Sequence, residues 1–317
     1  MKRARAVALA AAGALPLLFV CARADAYCRT KACDTDPSYG DVWKEEPQPS
    51  ACVRNAQGCY VEGTPLYWPS TCLSFAVQRA GSKTSDIDFD TASTIIEASF
   101  LKWATVDCGD GVQPSFRFVN KGAIDCRKAE YNQESGNANL FTFRDDDWPY
   151  VNQIDTLALT TVTYNVETAS IYDADVEINT AQATFTTTED PPPNGADLEA
   201  VVTHEIGHFL GLAHSEVNAA TMRAIGYQLG TTGLRTLADD DIQGICEIYP
   251  PGEKIGSDCA PRHGFSRACG TADDGCTLAS VGRRRRGLGV GAFAAAAGLG
   301  LFARRTRRRA RTREGRR

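Results

Sequence analysis

The sequence predicts a mixed α/β domain of the α+β type, and three observations carry that expectation. Between residues 66 and 251 the segments run in the irregular order strand, helix, strands, helix, helix. Apolar residues alternate in some of these segments and recur at helical spacing in others. No internal repeat divides the stretch. At 317 residues the chain suits one such domain with appendages.

The elements follow in order. Leu66–Val77, with Cys72-Leu-Ser-Phe-Ala-Val77, has strand character. Ile95, Ile96, Ser99, Phe100 and Trp103 stand at helical spacing, which predicts a helix over Asp90–Trp103 with Asp90 or Thr91 as its cap. Ser115–Val119 alternates like a half-buried strand, and Leu157–Tyr164 and Asp173–Ile178 are two more strands. The breaker Pro191-Pro-Pro-Asn-Gly195 precedes a helix capped by Asp197. A last helix runs over Asp239–Tyr249 and stops at Pro250-Pro251.

Flanking segments differ in kind. Residues 1–26 read as a secretory signal: Lys2, Arg3 and Arg5, then an apolar run, then Ala24-Asp25-Ala26 as a cleavage site. Residues 27–65 form a Cys-rich segment without apolar periodicity, 66–251 the main domain, 252–282 a Cys-containing linker, and 283–317 a basic tail. The tail holds thirteen Arg and one Glu, whereas residues 27–282 hold 17 basic against 37 acidic side chains. So acidic a body repels phosphate, which excludes nucleic acid as a partner. Eleven cysteines follow the signal, and in an exported chain they read as disulfides. Short loops favour Cys108 with Cys126 and Cys259 with Cys269, leaving Cys276 as the odd one. A cysteine-rich zinc site is the rival reading, but no pair has Cys-x-x-Cys spacing.

Chemistry concentrates in Val202-Thr-His-Glu-Ile-Gly-His-Phe-Leu-Gly-Leu-Ala-His-Ser215. His204 and His208, four apart on a helix, present both imidazoles on one face, where they can grip a single ion. Glu205 adjoins the first of them and can reach a water on that ion. Gly211 can take a positive φ, stop the helix and turn the chain, bringing His214 round as third ligand. Three imidazoles leave a fourth zinc position open, as catalytic sites do. The chain has four histidines, and three lie here; it has one methionine beyond the start, Met222.

This motif resembles the metzincin zinc proteases, with three histidines, a glycine and a Met-turn. Ser215 after His214, and Leu237-Ala-Asp-Asp-Asp-Ile-Gln-Gly-Ile-Cys-Glu-Ile-Tyr249, resemble the matrixin branch. The resemblance spans roughly Leu66 to Pro250 and implies a catalytic domain with a mixed sheet, an active-site helix and a C-terminal helix. It also implies Met222 as an apolar floor under the metal, and Asp173-Ala-Asp-Val-Glu-Ile-Asn179 as the last strand. The cysteine-switch segment of animal matrixins and their histidine-bound second zinc have no counterpart in these residues.

The implied activity is endopeptidase hydrolysis of a protein or peptide, with Glu205 as general base. Leu157–Tyr164, with Ala158 and Leu159, is either the exposed edge strand that pairs with an extended substrate or an ordinary central strand. Ile225 and Tyr227 are expected in the wall of the main specificity pocket. Asp173, Asp175 and Glu177, with Asp145–Asp147, are candidate Ca2+ ligands or a solvated strand face and loop. An adhesion or binding module on the same fold is the rival function, and the intact Glu205 counts against it. The tail resembles C-terminal sorting tags of the MYXO-CTERM type: Gly275-Cys276, an apolar run over Gly287–Ala303, then nine arginines. That likeness implies transient membrane association, removal during export, and a product at the cell surface or outside.

Overall fold

The computed structural model describes residues 27–32, 55, 59, 61–150, 156–223, 227–268 and 290–296, the last by its backbone. The signal, Cys276, Ile225 and the arginine clusters of the tail lie outside the described residues.

The strands are β1 (Cys28–Arg29), β2 (Lys31–Ala32), β3 (Thr64–Pro65), β4 (Cys72–Gln78), β5 (Arg117–Ile124), β6 (Leu140–Phe143), β7 (Ala158–Asn165), β8 (Ile171–Ile178), β9 (Phe185–Thr186), β10 (Ala196–Asp197), β11 (Leu212–Ala213) and β12 (Val290–Ala296). The helices are α1 (Phe89–Ala104), α2 (Leu198–Leu210) and α3 (Asp239–Ile248). The main sheet has the order β12-β7-β8-β6-β4-β5. Strands β5, β4, β6 and β8 are parallel, and β7 runs antiparallel to β8. The expected mixed α/β architecture is therefore present. Strand β6 was not anticipated: four residues are too few to show a period.

Helix α1 begins one position before the expected Asp90, because Asp88 is its cap and accepts from the Thr91 amide at 2.8 Å. Its inner face, Ile96, Phe100 and Trp103, is fully buried. Phe100 stacks on Phe75 of β4 at 4.8 Å and meets Phe209 of α2 edge-on at 5.2 Å. Trp103 Nε1 donates to the Thr203 carbonyl at 2.9 Å. Burying each ring is worth about 1.5–3 kcal/mol, so this aromatic seam fixes α2 against the sheet.

Both expected disulfides are corrected. Cys108 bonds Cys246, joining the loop after α1 to α3, and Cys72 bonds Cys259, tying the start of β4 to the linker. Cys126 is disulfide-bonded elsewhere, and Cys28 pairs with Cys59. Loop length misleads because the fold places α3 beside the end of α1, and sequence proximity knows nothing of that. The linker is likewise part of the body: Arg117 donates to the Gly256 and Ser257 carbonyls, and Asn137 exchanges backbone bonds with Gly264 and Ser266.

No helix among the described residues is long and apolar enough to cross a membrane. Val290–Ala296, within the apolar run of the tail, forms β12, paired antiparallel with β7 from Val290 opposite Asn165 to Ala296 opposite Leu159.

Candidate metal centre

Helix α2 starts where Asp197, in extended conformation, accepts from the Ala200 amide at 3.0 Å. The same carboxylate receives Arg235 twice, at 2.8 and 2.7 Å. At the other end Gly211 takes φ +106° and closes the helix. The last carbonyls of α2 have side-chain donors: Trp68 Nε1 to Phe209 at 2.7 Å and the Tyr249 hydroxyl to Leu210 at 3.1 Å. A helix carrying this motif is thus held at both termini, which fixes where its two histidines point.

His204, His208 and His214 bring their ligand atoms within 4.8 Å of one another. His204 Nδ1 donates to the Thr221 carbonyl at 2.6 Å, and His208 Nδ1 to the Leu212 carbonyl at 2.9 Å. Those bonds leave the Nε2 lone pairs directed inward. His208 Nε2 lies 3.2 Å from His214 Nε2, and His204 Nε2 is buried with no hydrogen-bond partner. Buried, mutually facing imidazole nitrogens are costly unless a cation satisfies them. Burial lowers His204 to about 4; burial, with the neighbouring imidazoles, lowers His208 well below its ordinary value. The rings are therefore neutral, as ligands must be. Three imidazoles converging beside a cleft fit zinc with an open position.

Met222 is buried, with its side chain against Gly207. A Cβ added at Gly207 would come within 2.1 Å of the Met222 sulfur, so the glycine between the two helical histidines admits the methionine. Helix α3 secures the turn: Asp241 accepts from the amides of Thr221 at 2.7 Å and Met222 at 3.0 Å. Asp240 accepts from the Ser215 hydroxyl at 2.5 Å. Asp240 and Asp241 at the head of α3 are thus support for the metal loop, a role that sequence reading left unassigned.

Glu205 is fully buried. Its Oε2 accepts from the Thr160 hydroxyl of β7 at 2.5 Å, while Oε1 has no hydrogen-bond partner. Burial pushes its carboxyl up to about 8, the Thr160 bonds partly offsetting this. Thr160 was missed, since nothing local to a strand threonine points to a helix 45 residues onward. A cleft open to solvent is lined by Leu157, Ala200, Val201, His204, Glu205, Arg223, Tyr227 and Leu234. Of the two expected pocket residues, Tyr227 lies in this wall.

Ala158 and Leu159 lie on β7, which pairs with β8 along one edge and with β12 along the other. Asp173, Asp175 and Glu177 share one face of β8 and are all buried, so the solvated-face alternative is corrected. Glu177 is engaged by Arg144 and Tyr150, and Asp175 accepts from the amides of Leu140 and Glu130. Asp173 Oδ1 alone of this set lacks a hydrogen-bond partner. Burial raises both aspartates, Asp173 to about 8, and Asp175 further rises from its neighbour's charge. Asp145 accepts from Ser82, Thr84, Thr180 and the Lys83 amide and orders a loop.

Comparison with known proteins agrees with this geometry. The Matrixin family profile matches residues 67–250. Human matrix metalloproteinase-16 is 46% identical over 65 residues, covering 20% of this chain and 10% of that protein. Metalloendoproteinase 1-MMP of Arabidopsis thaliana is 27% identical over 204 residues, 62% of this chain and 48% of its own. Metalloendoproteinase 1 of Glycine max is 45% identical over 64 residues, 20% of each chain. The chain thus spans about a tenth of the length of the first of these relatives and about half of the second. The profile covers more than half of the sequence and encloses the buried histidine triad, so the chain belongs to the matrixin family and its triad is a zinc site.

Proposed function

We propose that the chain is an exported zinc-dependent endopeptidase. The observation that carries this is the placement of Glu205: it follows His204 on α2, lines the same cleft, and keeps one buried carboxylate oxygen, Oε1, without a hydrogen-bond partner. Zinc, when bound by His204, His208 and His214, supplies Lewis-acid chemistry and acidifies water toward neutrality. Glu205 takes the proton of the attacking water at Oε1 and later delivers it to the leaving amine. The Thr160 hydroxyl holds the other oxygen and so fixes the plane of the carboxylate. The mostly apolar wall of Leu157, Val201, Tyr227 and Leu234 receives a substrate side chain and excludes water.

An extended substrate pairs with the outer edge of β7, along Ala158 and Leu159. That β12 lies antiparallel on the same edge supports this, because the edge accepts an added strand. The disulfides support an oxidising, extracellular destination, and the tail reads as a removable sorting segment whose loss frees the edge of β7. The test is cleavage of a peptide library by the purified protein. Turnover that disappears with a zinc chelator and returns with zinc supports the reading. Binding of peptides without hydrolysis by the zinc-loaded protein overturns it. Mass spectrometry of the exported protein checks the tail: a form retaining Arg304–Arg317 contradicts removal.

A further inference from the structure

We infer that Thr30 is a positioning residue of the metal centre, and that the N-terminal segment around it is part of the zinc site. This segment lies outside residues 67–250, the span matched by the family profile. Strand β1 pairs antiparallel with β11, Cys28 opposite Ala213 and Arg29 opposite Leu212. Strand β11 is the whole link between Gly211, which ends the helix bearing His208, and His214. Thr30 completes the clamp twice: its amide donates to the Gly211 carbonyl and its hydroxyl to the Leu212 carbonyl, both at 3.0 Å.

The Leu212 carbonyl is the important atom. It also accepts from His208 Nδ1 at 2.9 Å. One oxygen thus fixes the tautomer of a metal ligand on one lone pair and receives Thr30 on the other. A carbonyl held by a single bond to a ring can swing with that ring. Held from behind by a hydroxyl that is itself buried (Thr30 is 4% exposed), it becomes a fixed reference for the imidazole plane. Such outer partners of metal-bound histidines typically change metal affinity about 10–100-fold when removed.

The segment is firmly seated, so the clamp does not depend on Thr30 alone. Its carbonyl accepts from the Leu66 amide at 2.8 Å, Arg29 donates to the Leu66 carbonyl at 2.9 Å and pairs with Glu247 of α3, and Cys28 is bonded to Cys59. Removing the Thr30 hydroxyl should therefore leave the segment in place and release only the orientation of the carbonyl.

The experiment uses the full chain with Thr30→Val, which keeps the shape and removes the hydroxyl, and with Thr30→Ser, which keeps the hydroxyl. Metal-free protein is titrated with Zn2+ against a chromophoric chelator, and the visible absorption of the Co2+ form is recorded. Thermal unfolding of the metal-free protein monitors the fold. The expected result is zinc affinity about tenfold weaker or more for Thr30→Val, with an altered Co2+ spectrum, and wild-type behaviour for Thr30→Ser. Wild-type zinc affinity and Co2+ spectrum in Thr30→Val overturn the inference. Should that variant not fold, Thr30→Ala is carried through the same titration, where undiminished affinity overturns the inference equally.

Discussion

The chemistry of this site is set by which atom of each side chain is left free. Nδ1 of His204 and His208 is spent on backbone carbonyls, so Nε2 faces inward. One oxygen of Glu205 is spent on Thr160, so the other is left without a partner. Two predictions belong here. Thr160→Val removes a hydrogen bond worth about 0.5–1.5 kcal/mol, so kcat should fall by up to about tenfold while bound zinc stays at one equivalent by metal analysis. Met222→Leu preserves the apolar floor, and volume-conserving swaps cost under about 1.5 kcal/mol. It should fold and retain zinc; a folded leucine variant without zinc would mean that the sulfur matters in itself.

At the scale of elements, α2 is a buried helix whose start depends on one carboxylate. Asp197 caps it and neutralises Arg235, whose side chain also meets Glu189 and Glu199. Asp197→Ala loses the cap, about 1 kcal/mol, and breaks a largely buried ion pair, for which about 3–5 kcal/mol is usual. Urea unfolding should show a loss at the upper end of that range; a loss below about 1 kcal/mol would mean that Arg235 finds other partners. This helix was legible in the sequence because its determinants are local: a capping aspartate, histidines four apart and a glycine that can turn. The same holds for α3. Thr160, Asp240 and Asp241 were not legible as parts of the site, since each acts across the fold. The disulfides failed for the same reason: Cys108 and Cys246 meet only once α1 and α3 are packed.

The whole molecule carries a cost of its acidic build. Asp173 and Asp175 are buried together, and burial raises both carboxyls, Asp173 to about 8 against about 3.9 in an unfolded chain. The native state therefore keeps a proton that the unfolded chain gives up. This contribution is complete below about pH 4 and is lost as pH rises toward 8, by at most about 1.4 kcal/mol per unit. His204 and His208, held neutral by burial, contribute in the opposite sense, so denaturant unfolding at pH 5 and pH 8 reads the aspartate pair by comparison with a variant. Asp173→Asn should be stabilised relative to the wild type more at pH 8 than at pH 5, and an unchanged pH dependence would mean that the pair is satisfied in some other way.

Catalytic function rests on the claim that Glu205 moves the proton while the three histidines hold the metal. Glu205→Ala separates the two, because it leaves all three imidazoles, and the backbone partners of His204 and His208, in place. The decisive measurement is zinc content and peptide turnover on the same sample of Glu205→Ala beside the wild type. The account predicts one equivalent of zinc in both and turnover lowered at least about a hundredfold in the variant, in keeping with the loss of a general base. Near-normal turnover in a fully zinc-loaded Glu205→Ala protein would contradict it.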